Sequence, residues 1–340
     1  MLGGCSPPQG AEAPVAPVVA ADAPRPDPAG GKRLDALGGR LRVWMPEGAR
    51  VEARKANLMA AAAPVEEESR LVFDDGPARL VVMAYEELRT AGDDFERAVR
   101  AEVEKPSKEG AARLSVAPFT PRGGGLKGLK VVPSALLGTD ALLARAAFVW
   151  QTDGTVQYVA VYLNPEAAKR EARFVELADQ ILDSLAAGGK VLDLAGGPRR
   201  VAIGAEEAAV TLPPSFVMTQ AQGPDFTVYR LRKVGRFGQP GAGMGVYAGD
   251  YPSRQHTQRE SDAKVVESKG HLLGREIVWM SWTAHEEGAT ADSRWSEAIV
   301  EVPGGRGPRY LHVWIEAGDA AAEAELRRVA EAIVIVPRAK

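Results

Sequence analysis

Hydrophobic and polar residues alternate in many short segments of this chain, and alternation with a period of two is typical of half-buried β-strands. Such segments occur at 41–46, 79–85, 126–132, 144–150, 155–163, 209–213, 225–231, 276–283, 294–302 and 309–316. Apolar residues three or four positions apart predict helices over 93–104, 166–185 and 320–334. Strands followed by a closing helix predict an α+β fold, in which a mainly antiparallel sheet packs against helices.

This pattern occurs twice along the chain. The strand 158–163 and the helix that follows it recur, in one register, at 310–334. A single spacing of about 150 residues therefore matches two consecutive elements, which indicates an internal duplication. We expect two tandem similar domains, residues 32–189 and residues 190–340.

The segment 6–31 consists almost wholly of Pro, Ala, Gly, Val and Asp. It buries too little apolar surface to fold, and its prolines favour extended conformations, so we expect a disordered tether. Before it, in residues 1–5, Leu2-Gly3-Gly4-Cys5 resembles the lipobox of bacterial lipoproteins. The resemblance implies that Cys5 is acylated, and more than one acyl chain gives stable membrane anchoring.

The charged and hydrophobic parts of a signal peptide do not precede Leu2, so we expect that the natural protein starts further upstream or has been trimmed. Ser6, after the cysteine, resembles the sorting signal for the outer membrane. Together these features predict a lipid-anchored protein of the bacterial envelope, on the periplasmic side of the outer membrane or at the cell surface.

Composition excludes several classes of function. The 340 residues include 42 basic and 45 acidic side chains, a formal net charge of -3, which provides no strong field for binding nucleic acid. The single cysteine excludes a disulfide within the chain and a cysteine-rich metal site. The sequence contains no run of about 18 apolar residues, so it predicts no helix that spans a bilayer.

Residue types used in catalysis and metal binding do not converge in the sequence. The histidines His256, His271, His285 and His312 have no spacing suited to zinc or to a catalytic base. We interpret His285 as part of a solvated loop and His312 as a packed or hydrogen-bonded sheet residue. The glycines between 235 and 249 favour a mobile hairpin loop, because a phosphate-binding loop needs a helix directly after it.

Serine and carboxylate patterns are equally unspecific. Ser281 lies within a strand and lacks the sharp turn that exposes a nucleophile. The pairs Asp74-Asp75, Glu86-Glu87 and Asp93-Asp94 are interpreted as solvated surface. We therefore expect no catalytic residue, no metal ligand, no cofactor and no enzymatic activity.

Tryptophans concentrate in the second predicted domain. Trp279 and Trp282 are three residues apart, so on a regular strand they point to opposite faces of the sheet. Filling of the core explains most of these residues, but a helix over 320–334 covers only one face, which leaves an exposed aromatic surface on the other. Such a surface has the composition of a binding hot spot. The candidate partner-binding residues are Trp279, Trp282, Trp295, Tyr310 and Trp314.

The order of lipobox, tether and two domains resembles the two-domain envelope immunity lipoproteins that neutralise phospholipase effectors of type VI secretion. The likeness is carried mainly by 274–279, by Trp295-Ser296-Glu297 and by the helix 320–334. Each repeat is also similar, more distantly, to the PsbP-like sandwich. The resemblance implies a protein without catalytic activity that clamps a protein partner between its two domains.

The sequence thus favours a membrane-anchored lipoprotein that binds a protein partner, with neutralisation of a secreted effector as the specific expectation. Two alternatives stay open at this point. One is a structural or assembly factor of the cell envelope. The other is a hydrolase whose site the sequence does not reveal, and convergent titratable groups in one deep pocket would favour it.

Overall fold

The computed structural model describes residues 27–56, 65–104, 113–152, 154–203, 206–222, 226–236, 241–257, 264–285, 292–302 and 309–336. Cys5 and most of the predicted tether lie outside the described residues. Gly31, predicted as the last residue of the tether, is the first residue of a strand. A side chain at Gly31 would overlap the indole of Trp44, so glycine is required where this strand packs.

The strands of the N-terminal half form a large antiparallel sheet and a small one. They are β1 Gly31–Ala36, β2 Leu41–Pro46, β3 Arg50–Ala56, β4 Val65–Asp75, β5 Ala78–Thr90, β6 Leu114–Phe119, β7 Lys127–Pro133, β8 Leu142–Trp150, β9 Thr155–Leu163 and β10 Ala186–Ala187. The large sheet has the order β3-β4-β5-β9-β8-β7-β6, and the small sheet has the order β1-β2-β10. The strands predicted over 144–150 and 155–163 correspond to β8 and β9, which pair with each other in antiparallel fashion.

Three helices cover the two faces of this large sheet. They are α1 Phe95–Val103, α2 Pro165–Ala168 and α3 Glu171–Asp183. Phe95 of α1 packs on one face of the sheet, and Phe174 of α3 packs on the other. The region 166–185, where one helix is predicted, contains the two helices α2 and α3. The first begins after Asn164, whose side chain accepts a hydrogen bond from the backbone N–H of Ala167.

The C-terminal half also contains a large antiparallel sheet and a small one. Its strands are β11 Gly197–Ile203, β12 Glu206–Leu212, β13 Phe216–Gln222, β14 Thr227–Lys233, β15 Gly235–Arg236, β16 Ala242–Gly249, β17 Val266–Leu272, β18 Arg275–Ala284, β19 Ser293–Glu301, β20 Tyr310–Ala317 and β21 Val334–Val336. The large sheet has the order β13-β14-β16-β20-β19-β18-β17, and β11, β12 and β21 form the small sheet in the order β11-β12-β21. Both large sheets thus place their first three strands in sequence and their last four in reverse.

One helix, α4 Ala320–Glu331, packs on the large C-terminal sheet through Leu326 and Ala330. The helix predicted over 320–334 is too long, because Val334 pairs with Ala209 as part of β21. Short 3-10 turns lie at Leu37–Gly39 and Gln255–Thr257. None of the helices among the described residues is long and apolar enough to cross a membrane.

The two halves pack against each other through a small apolar cluster. Its buried members are Leu88, Val217 and Val234, with Leu192 and Leu194 half-buried around them. Next to the cluster, β15 pairs in parallel with β5 of the other half. The observed fold is α+β with mainly antiparallel sheets, as predicted.

Candidate functional site

The large C-terminal sheet has one face under α4, and we call the opposite face the second face. Because side chains alternate along a strand, β18 places Trp279 under α4 and Trp282 on the second face. This confirms the predicted division of the two tryptophans. Trp279 is fully buried, and its indole N–H donates to Glu331 Oε1 at 3.0 Å. Trp279 is therefore a core residue that no partner can reach.

Three tryptophans from adjacent strands meet on the second face, and we call Trp282, Trp295 and Trp314 the tryptophan cluster. The rings of Trp282 and Trp295 stack with centroids 6.2 Å apart and planes 8° from parallel. Only 4% to 7% of each residue is exposed, so the prediction that these tryptophans form an exposed surface is wrong. They are a second core, while Tyr310 is half-buried at the far end of β20.

Glycine in β16 makes room for the tryptophan cluster. Gly245 pairs with Trp314, and a Cβ at Gly245 would overlap the Trp314 indole. The interpretation of this glycine-rich region as a mobile loop is therefore wrong for Gly243, Gly245 and Gly249, which belong to β16. They lie in a strand because bulky aromatic side chains pack directly over its backbone.

The tryptophan cluster continues into an aromatic surface, by which we mean Phe226, Tyr247 and Tyr251. The rings of Phe226 and Tyr247 lie 5.5 Å apart, and Tyr247 packs against the tryptophan cluster. The Tyr247 hydroxyl accepts the amide N–H of Tyr251 at 3.1 Å. Tyr251 is 81% exposed, whereas Tyr247 is half-buried and the tryptophan cluster is buried. The exposed aromatic residues of the second face therefore differ from the predicted ones.

A buried carboxylate fixes the segment that follows Tyr251. Glu297 of β19 is 1% exposed, and its carboxylate accepts the backbone N–H groups of Gln255 at 3.0 Å and His256 at 2.8 Å. The His256 ring also bonds to Glu297, and His312 Nε2 lies 2.8 Å from it. We call Glu297, Gln255, His256 and His312 the Glu297 cluster. It holds the 3-10 turn Gln255–Thr257 against the second face.

The electrostatics of the Glu297 cluster favour the ionised carboxylate. Burial alone would raise the pKa of Glu297, but hydrogen bonds from His312, from the backbone and ring of His256 and from the Gln255 backbone lower it to about 2. The prediction that His312 is a hydrogen-bonded sheet residue is confirmed. The sequence does not predict the roles of Glu297 and His256. The local signal for Glu297 is an acidic residue inside an apolar strand.

A buried arginine adjoins the tryptophan cluster. Arg230 of β14 is 8% exposed, and its guanidinium lies 5.5 Å from the Trp314 ring centroid. Burial lowers the pKa of Arg230, the neighbouring Arg232 lowers it further, and Glu316 acts in the opposite direction. The cation–π contact offsets part of the desolvation of this charge. The second face thus holds a buried charged group beside the buried tryptophan cluster.

The remaining candidate residues have structural partners. His285 is exposed and its Nδ1 lies 3.0 Å from Asp292, as expected of a solvated loop. Asp74 accepts hydrogen bonds from Arg79 and Arg50, which lower the pKa of its carboxyl group. Within the part of the chain that the structure describes, no group of three or more His, Cys, Asp or Glu is arranged to hold a metal ion.

The interpretation of Glu86-Glu87 as solvated surface is wrong. Glu86 is fully buried and ion-paired with Arg40 at 2.9 Å, and it also bonds to the Thr155 hydroxyl and to Gln157. Burial raises the pKa of Glu87 to about 6. Glu86 thus forms a buried ion pair on one face of β5, whereas Glu87, on the other face, is a partly desolvated carboxyl group.

Comparison with known proteins found little. No protein family matches the sequence, and no curated protein matches it. Among solved structures, the crystal structure of the Tle4-Tli4 complex is similar over 91% of this chain and 99% of that chain, with 13% sequence identity and a TM-score of 0.23. A likeness of this size carries no argument about the fold or function of this chain.

Proposed function

We propose that this chain is a lipid-anchored envelope protein without catalytic activity, which binds a protein partner through the aromatic surface on its second face. The observation that carries the proposal is the high exposure of Tyr251, whose backbone N–H is held by the hydroxyl of Tyr247, a residue that packs against the buried tryptophan cluster. Tyrosine supplies a large contact area and a polar hydroxyl at low entropic cost, which is why it is frequent in binding hot spots.

The proposed architecture is two tandem copies of one domain. Support comes from the shared strand order of the two large sheets and from the small three-stranded sheet that accompanies each of them. In each half, the second strand lies between the first and the last strand of that half and pairs with both, which builds the small sheet. A shared order of seven strands supports duplication more strongly than the local sequence likeness does.

We propose that the partner is a secreted effector protein and that binding neutralises it. The support is the resemblance of 274–279 and of the α4 region to envelope immunity lipoproteins. The proposed anchor is a lipid on Cys5, supported by the lipobox-like residues before it. Such an anchor would hold the binding surface at the membrane, where a phospholipase effector acts.

The partner proposal is tested with the secreted enzyme encoded beside this gene. We expect the full chain to bind that enzyme and to inhibit it, as measured by calorimetry and by enzyme assay. Tyr251→Ala should weaken binding at least about tenfold. Val191→Ala is the matched control, because Val191 is 76% exposed and lies away from the second face.

Three results would count against this function. The first is that no secreted enzyme is encoded nearby, and the second is that the neighbouring enzyme does not bind. The third is that Tyr251→Ala binds as well as Val191→Ala, which would exclude the aromatic surface as the contact. Specific recovery of envelope-assembly components instead would favour the structural alternative.

The anchor is tested separately in the native cell. We expect the full-length gene product to incorporate labelled palmitate and to sediment with membranes, and Cys5→Ser should abolish both properties. Unchanged membrane association of Cys5→Ser would overturn the proposed lipid attachment while leaving partner binding open to its own test.

A further inference from the structure

A cleft of about 450 Å³ lies on the opposite side of the sheet from the aromatic surface, between the N-terminal half of α4 and the strands β17, β18 and β19. Its polar lining includes Lys264, Ser268, Ser281, Thr283, Arg294, Glu323 and Arg327. Three of these side chains are cations and one is an anion. The cleft therefore has an excess of positive charge, in a chain whose formal net charge is -3.

Among the described residues, Glu323 is the carboxylate that lines the cleft, and it is buried and holds two guanidinium groups. Glu323 is 5% exposed; its Oε2 accepts from Arg294 Nε at 2.7 Å, and its Oε1 accepts from Arg327 Nη2 at 2.9 Å. Burial raises the pKa of Glu323, but hydrogen bonds from Ser296 and Arg294 and the charge of Arg327 lower it overall. Glu323 is thus an ionised group that positions both arginines.

Arg327 is fixed by further contacts. Its Nη1 donates to Ser268 at 3.1 Å, its Nη2 donates to Ser281 and Ser296, and its guanidinium lies 5.2 Å from the Trp279 ring centroid. An arginine held in this way loses little conformational entropy when it binds an anion.

Arg294 and Lys264 face the cleft with unused donors. Among the described residues, protein acceptors engage only the Nε of Arg294, whose side chain is 43% exposed. Lys264 is exposed at the mouth of the cleft. Several like charges close to one carboxylate repel one another, and an anion with more than one charge would relieve that repulsion.

We propose that this cleft binds a phosphate group, either free as a phosphate monoester or as part of a lipid headgroup. A phosphate monoester offers about two charges and three acceptor oxygens to the donors of Arg294, Arg327 and Lys264, and a phosphodiester headgroup offers one charge and two such oxygens. The serine hydroxyls of the lining hold Arg327 in place for this contact. Binding here does not depend on a protein partner, because the cleft lies on the α4 side of the sheet.

The test uses the full chain with inorganic phosphate and glycerol 3-phosphate, each titrated by calorimetry. We expect one site per chain and a loss of affinity of at least about tenfold in Arg294→Gln. Glutamine still donates to Glu323, so the fold should persist. Lys264→Gln provides a second variant at an exposed position, and Arg328→Gln is the matched control, since Arg328 is exposed on the same helix and does not line the cleft.

Vesicles distinguish the two sources of phosphate. Binding to phosphatidylglycerol vesicles but not phosphatidylcholine vesicles, reversed by glycerol 3-phosphate, would identify a lipid headgroup. Binding in solution without binding to vesicles would identify a free phosphate ester. The proposal is overturned if phosphate, glycerol 3-phosphate and anionic vesicles all fail to bind, or if Arg294→Gln and Lys264→Gln bind as well as Arg328→Gln.

Discussion

Replacement of Glu297 by glutamine tests how strongly the Glu297 cluster stabilises the second face. The carboxylate of Glu297 accepts hydrogen bonds from Gln255, His256 and His312. These bonds outweigh the cost of burial and lower the pKa of Glu297 from 4.5 to about 2. A difference of that size between folded and unfolded states corresponds to about 3 kcal/mol of stability at neutral pH.

The sign of the effect sets its pH dependence. Because the folded-state pKa of Glu297 is below the unfolded value, the stabilisation is fully present above about pH 4.5 and is lost as the pH falls towards 2. Glutamine does not ionise. Its amide N–H₂ group would also replace one carboxylate oxygen, so that one of the present hydrogen-bond donors would face another donor. The free energy of unfolding of Glu297→Gln should therefore be about 3 kcal/mol lower than that of the unaltered protein near pH 7, with a smaller difference near pH 3.

The assay is urea unfolding followed by tryptophan fluorescence, since the tryptophan cluster lies beside Glu297 on the second face. Glu301→Gln is the control, because Glu301 is an exposed acid on the same strand. Equal destabilisation by Glu297→Gln near pH 7 and near pH 3 would refute the electrostatic reasoning. A loss no larger than that of Glu301→Gln would refute the importance of the cluster.

Two further substitutions test other parts of the packing. Gly245→Ala should lower the free energy of unfolding by about 1–3 kcal/mol and shift tryptophan fluorescence, because its Cβ would displace the Trp314 ring. Gly235→Ala is the control and should be neutral, because a Cβ at Gly235 meets no atom. Equal effects of the two substitutions would contradict this account. Burial raises the pKa of Glu87 to about 6, so its carboxylate opposes folding increasingly as the pH rises from about 4.5 to 6. Glu87→Gln should therefore stabilise the protein by up to about 2 kcal/mol in urea unfolding near pH 7 and have no effect near pH 4, and a stabilisation independent of pH would refute the assignment.

Regular patterns made much of the fold predictable. Period-two alternation located most strands of both large sheets, although a strand such as β20 is buried on both faces. The opposite directions of Trp279 and Trp282 follow from the same geometry. Element ends were less predictable, and Val334 joins β21 rather than α4 because it finds a strand partner, Ala209, far away in sequence.

The buried charges could not be predicted, because their partners are distant in the chain. Glu297 receives bonds from residues 41 and 42 positions earlier, and Glu86 pairs with Arg40, 46 positions away. No local spacing links such residues. An acidic doublet at a strand looks the same in sequence whether it faces water or a buried arginine, so Glu86 was interpreted as solvated.

Exposure of the tryptophan cluster was predicted wrongly for a related reason. The prediction assumed that a sheet face without a helix faces water. In the structure, the 3-10 turn Gln255–Thr257 lies against the second face, held by backbone N–H groups that any sequence could supply. Tyr251 is 81% exposed, and irregular segments of this kind leave no periodic signal.

The position of Tyr251 links the stability of the second face to its proposed binding role. Tyr251 is held on one side by the Tyr247 hydroxyl, and the chain beyond it is fixed four and five residues later by Glu297. If this restraint organises the aromatic surface in advance, Glu297→Gln should weaken partner binding although Glu297 is too buried to touch a partner. Tyr251→Ala removes the group that the restraint serves, so the two substitutions should be less than additive in a double-mutant cycle of binding free energies. Strict additivity would mean that the Glu297 cluster supports the fold alone and that Tyr251 needs no organisation to bind.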